Sequence, residues 1–192
     1  MERLLPGTAL TCTPGKEGDA FSVLEPIFAV SGGGLTLSQV AELTGLTPTA
    51  IQNWVKRGWV ANPVNKKYDE IRVARILLIN LLRDAMQLDR IARLLAYVNG
   101  SVNDRSDDSM QDPHLYSLIC AAIFRIEEGE RAEGRWLQNL VARFLSAYPS
   151  PVADAKRRLT RALSVMLLSV EASVRMKQAG DMYTELMKEG SV

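Results

Sequence analysis

The run LTLSQVAELTGLTPTAIQNWVKRGWV, Leu35 to Val60, decides how this chain folds. Thr36 followed three residues later by Gln39 is a capping box, which starts a helix at Leu37. Val40 and Leu43, with small Ala41, give that helix one apolar face, and Gly45 supplies the positive φ that ends it sharply. Thr47 then caps a second helix, Pro48 occupies its first position, and Gly58 closes it. Ala41 is small where the two helices cross, and Ile51 faces back into the joint as an apolar anchor. Any αα-hairpin could join two short helices, but this combination predicts a helix-turn-helix.

On the second helix Ile51, Trp54 and Val55 form the inward stripe, leaving Thr49, Gln52, Asn53, Lys56 and Arg57 outward or flanking. Amide side chains suit the edge of adenine, and Lys or Arg suits phosphate or guanine. A solvated polar face is the plainer reading of such a row; its place after the turn favours DNA. The following ANPVNKKYDE has turn residues Pro63 and Asn65 and a basic, aromatic tip at Lys66, Lys67 and Tyr68. This predicts a short β-wing at 65–68 that grips the phosphate backbone beside a reading helix at 47–57. Beyond it, Asp69–Met86 and Leu88–Val98 carry helical apolar spacing, and Asn99-Gly100 is a stop signal.

In this order the parts resemble the MerR-like winged helix domain. The resemblance covers Leu35 to Leu95 and rests on Leu37–Val40 with Ala41, Thr44-Gly45, Thr47-Pro48, Gly58, Lys66 and Tyr68, and the runs Ile76–Arg83 and Ile91–Leu95. IQNWVKRG, NPVNKKY and YVNGSVNDRSDD also look like an uncharacterised bacterial family of MerR-like proteins, predicted to bind DNA. The resemblance implies a winged helix-turn-helix and double-stranded DNA as partner. The chain departs from it where such readers usually carry Arg and two Tyr, having Gln52, Asn53 and Trp54 instead. It also places Asn99–Asp112 where the long dimerisation helix would follow.

The 192 residues are 47% apolar and 23% charged, values of a globular protein with a real core. Lys and Arg number 23 against 22 Asp and Glu, which excludes a chain-wide polyelectrolyte but leaves room for a local basic patch. That patch is visible in residues 36–97, where nine basic groups face five acidic ones. Cys12 and Cys120 have no Cys or His beside them, which fits neither a disulfide framework nor a zinc site and suggests a reducing, cytoplasmic setting. No apolar run approaches the ~18 residues of a membrane span.

Turn residues divide the chain into a leader and flexible joint (1–34), the DNA-binding domain (35–98), an acidic loop (99–112) and a helical region for dimerisation or sensing (113–192). The fold class is therefore mostly α, a winged helix-turn-helix followed by a C-terminal helical bundle. In the loop, Asp104, Asp107, Asp108 and Asp112 lack the EF-hand spacing, so no metal is expected, and Asp112 before Pro113 reads as a helix cap. His114 has no companion base or nucleophile, so no catalytic residue and no cofactor are assigned.

Helices are expected at Leu115–Glu128, Ala132–Ala147 and Ala153–Ala179, the last apolar on nearly all sides from Ala162 to Val170. Met166, Met176, Met182 and Met187 suit core or dimer packing. A sequence-specific transcriptional regulator, homodimeric through these helices, is the leading function. A protein-interaction adaptor that kept the fold without DNA is the alternative. No small-molecule effector can be named.

Overall fold

The computed structural model describes residues 3–12, 17–129 and 135–189. Its axis is the helix α4, Glu70–Leu82, which Asp69 caps by accepting the Arg72 N–H at 2.9 Å. In the run VARILLINLL every residue but Leu81 is buried. A helix apolar on all sides must be covered from several directions, and the remaining elements do this. They are α2 (Leu37–Thr44), α5 (Leu88–Asn99), α6 (Asp112–Glu127) and α8 (Ala155–Glu189), together with the strand β4 (Lys67–Tyr68).

In the decisive run the expected helix starts and stops form. Thr36 and Gln39 form a reciprocal capping box at the start of α2, and Gly45 ends that helix at φ 67°. The Thr47 side chain accepts the Ala50 N–H at 3.2 Å, and Pro48 opens α3, Pro48–Lys56. Ile51 and Trp54 are buried between α3 and its neighbours. The strand β3 (Leu35–Thr36) pairs antiparallel with β4, Leu35 opposite Tyr68. Fold class is thus mostly helical with very small antiparallel sheets, the second joining β1 (Arg3–Leu4) to β2 (Thr11–Cys12).

Three expectations need correction. The first concerns residues 1–34, which the density of Pro and Gly suggests are a leader. Residues 17–24 form a 3-10 segment and 25–30 the helix α1, with Leu5, Phe21, Leu24 and Phe28 all buried. The Tyr116 hydroxyl donates to the Pro6 carbonyl at 2.6 Å, and the Phe21 N–H donates to Ser117 Oγ at 3.0 Å. Turn residues mark where the backbone bends, not whether the apolar residues between them are covered. Of the expected leader, residues 1–2 and 13–16 lie outside the described residues.

The second correction is Asp112. It is not a cap: α6 begins at Asp112 itself, with Gln111 before it. Its carboxylate points inward, accepting Arg75 Nε at 2.7 Å and Asn99 Nδ2 at 3.0 Å, and all three side chains are buried. The loop 99–112 is therefore fastened at both ends to the core instead of separating two domains.

The third is the C-terminal helices. The helix α7 runs Arg135–Ala147; its expected start at Ala132 lies outside the described residues. In α8, Ala162, Leu163, Met166 and Leu167 are buried, but Val165 and Leu168 are half-exposed, so only one face of that apolar segment is covered. Met166 is core, whereas Met176, Met182 and Met187 are exposed. Among the described residues no helix is long and apolar enough to cross a membrane.

Candidate nucleic-acid interface

The outward face of α3 assembles four of the eight expected residues. Thr49, Gln52, Asn53 and Lys56 stand at i, i+3, i+4 and i+7, so helical geometry puts them on one stripe. All four are exposed, and none of their side chains makes a hydrogen bond or ion pair among the described residues. Burial of Ile51 and Trp54 on the opposite side fixes the rotation of the helix and keeps this stripe outward. Buried Trp54 cannot offer its indole to a phosphate.

Arg57 lies at the C-terminal end of the stripe. Its guanidinium sits 3.8 Å from Asp89 at the start of α5 and 5.0 Å over the ring of Trp59. Both partners of the ion pair are largely exposed, so this pair is weak and open to exchange with another anion.

The tip of the expected wing is a two-residue hairpin. Val64 and Lys67 exchange backbone hydrogen bonds at 3.0 and 2.8 Å, and between them Asn65 and Lys66 both have positive φ, 50° and 62°. Two successive left-handed residues suit the twist of a hairpin. Asn tolerates this conformation well; Lys does not, and Lys66 is held there with its side chain exposed.

Lys67 and Tyr68 leave the expected set. The Lys67 ammonium donates to the Ser31 carbonyl at 2.6 Å, closing β4 onto the end of α1. Tyr68 is 3% exposed, and burial pushes its phenol pKa up, so it serves as core beneath the sheet. Alternation explains Tyr68, since in a paired strand one side chain of each successive two must face inward; Lys67, on the other face, is taken up by Ser31. The surviving set is Thr49, Gln52, Asn53, Lys56, Arg57 and Lys66.

Around the acidic loop the carboxylates are engaged separately. Asp104 accepts both the N–H and the hydroxyl of Ser106, which hold its pKa down. Asp108 is pushed up to about 7 by burial first and by the neighbouring Asp112 second, against the opposing pull of Arg75. His114 stacks on Tyr148 with ring centroids 3.6 Å apart, and burial lowers its pKa. Among the described residues no group of three His, Cys, Asp or Glu is placed to hold a metal ion.

Residues 32–118 match a family profile described as a domain of unknown function, DUF1836. The match begins at the turn before β3 and runs through the loop into α6, so it contains Arg75, Asn99 and Asp112 together. The chain is also similar to the uncharacterized protein YkrK of Bacillus subtilis (strain 168), with 34% identity over 91 residues. That stretch is 45% of this chain and covers 39% of the relative, so the chain spans well under half of that protein's length. No solved structure matches.

Proposed function

We propose that this chain is a sequence-specific DNA-binding regulator of winged helix-turn-helix type, reading the major groove with α3. The observation that supports this most is the stripe Thr49, Gln52, Asn53 and Lys56, four exposed polar residues without partners among the described residues, on the helix that follows the Gly45 turn. The stripe carries amides and a cation with no carboxylate. Gln52 and Asn53 read base edges; Lys56, Arg57 and Lys66 neutralise phosphate.

Lys66 gives independent support. A non-glycine residue in the left-handed region costs roughly 1–3 kcal/mol and persists where the surrounding structure, here the hairpin turn, holds it. A lysine at the tip of a hairpin, with no partner among the described residues, is suited to meet a phosphate backbone.

Two copies bind together in this account, since one such module contacts few base pairs and two-fold symmetry extends the site. The contact is assigned to α8 beyond Glu171, where Met176, Met182, Tyr183 and Leu186 are exposed at helical spacing. Ala162, Leu163, Met166 and Leu167 are already occupied by the chain's own core.

Binding of the full chain to random duplex DNA, followed against salt, tests the proposal. Three phosphate-neutralising cations predict a log–log slope near −2.7 per chain, about −0.9 for each. Absence of binding, or affinity indifferent to salt, contradicts it and leaves the adaptor reading.

A further inference from the structure

We propose that the cleft between α5 and α8 binds a small amphipathic anion, an aliphatic carboxylate. The two helices pack along one another, and the Ser173 hydroxyl donates to the Asp84 carbonyl at 3.3 Å just before α5 begins. Between that contact and the core they leave a cleft of about 510 Å³. This size falls within the roughly 300–1,000 Å³ of small-molecule sites.

Its chemistry has two halves. Met86, Leu94 and Val165 form an apolar wall, and Val165 remains 48% exposed on it. Arg90 and Arg93, three residues apart on α5, line the same cleft with exposed guanidiniums. Neither has an ion-pair or hydrogen-bond partner among the described residues. The adjacent Asp89 faces Arg57 instead. Among the described residues no Asp or Glu lines the cleft.

Two guanidiniums without partners among the described residues, beside a partly exposed apolar wall, select the ligand. A carboxylate satisfies the arginine fork with parallel charge-assisted hydrogen bonds, and its chain removes Met86, Leu94 and Val165 from water. A cation has no counter-charge here. A DNA phosphate would meet the arginines but leave the wall exposed. The inference is independent of whether α3 reads DNA.

The test titrates full-length protein with hexanoate, octanoate and decanoate, and separately with the matching alcohols, by calorimetry below their aggregation limits. The expected result is a single saturable site whose affinity rises about three- to fourfold per methylene until the cleft is filled. Each acid should bind about tenfold tighter than its alcohol, the difference one charge-assisted pair makes. Arg90→Gln with Arg93→Gln should erase that gap while leaving alcohol binding and the circular dichroism spectrum unchanged. Equal affinity of acid and alcohol for the native chain overturns the proposal without any variant. Acid binding that survives the double substitution overturns it as well. So does loss of DNA affinity in that variant with no acid binding to the native chain, which assigns the arginines to nucleic acid.

Discussion

The ammonium of Lys67 donates to the carbonyl of Ser31 at 2.6 Å, and this bond holds the hairpin at 64–67 against the end of α1. Gly34 makes the approach possible: a Cβ there would stand 3.0 Å from the Lys67 Cβ. Lys67 is thus a tether, although the sequence places it among DNA contacts. Lys67→Ala should lower stability by about 1.5–3 kcal/mol, the scale of a hydrogen bond from a charged donor. It should leave the salt slope of DNA binding unchanged. Thermal melts and salt titrations of the same variant check both halves.

Lys66 is expected to behave in the opposite way. Its φ of 62° is strained for a lysine and free for glycine. Lys66→Gly should raise stability by about 1 kcal/mol and reduce the salt slope by about 0.9, one phosphate contact fewer. A variant that is more stable and binds DNA as well as the parent removes Lys66 from the interface.

The contrast between these neighbours shows what was legible in the sequence. Local signals worked where the physics is local: the Thr36–Gln39 box, the Gly45 stop and the Thr47-Pro48 start all form as read. The stripe on α3 was equally legible, because helical spacing alone fixes which residues share a face. Lys67 was not, since its partner lies 36 positions away. Nor was Asp112, whose position before Pro113 imitates a cap while Arg75, 37 positions earlier, takes the carboxylate. The N-terminal segment shows the same gap: Phe21, Leu24 and Phe28 carried a helical apolar spacing that the surrounding Pro and Gly obscured.

The Arg75–Asp112 pair gives a third prediction. Both side chains are at most 7% exposed, so removing one leaves the other charge buried and uncompensated. Asp112→Ala should cost about 3–5 kcal/mol, whereas Arg75→Met with Asp112→Leu should recover most of that loss. Denaturant unfolding of the two variants measures the difference. A mild effect of Asp112→Ala would mean the carboxylate is not what fastens α6 to α4.

Asp108 gives the fourth. Its folded pKa of about 7 stands above the ordinary 3.8, so between these values the folded chain holds a proton that the unfolded chain has released. Stability should therefore fall as pH rises from about 4 to 7 and level off above, because the unfolded state binds fewer protons there. Asp108 is only partly buried, and solvent screening limits the effect to about 1–2 kcal/mol. Asp108→Asn should flatten that part of the profile and stabilise the chain at pH 8. A profile identical to the parent's would remove Asp108 as its source.

The direct test of the central claim compares two substitutions on one helix face. Duplexes enriched from a random pool by the full-length protein are bound by Asn53→Ala and by Lys56→Ala, each against the enriched and a scrambled sequence. If α3 reads bases, Asn53→Ala weakens binding to the enriched duplex by about 1–3 kcal/mol, leaves the scrambled one nearly unaffected and relaxes preference at one base pair. Lys56→Ala weakens both duplexes alike. Equal losses on both sequences for Asn53→Ala, or a pool that shows no enrichment, would contradict the account.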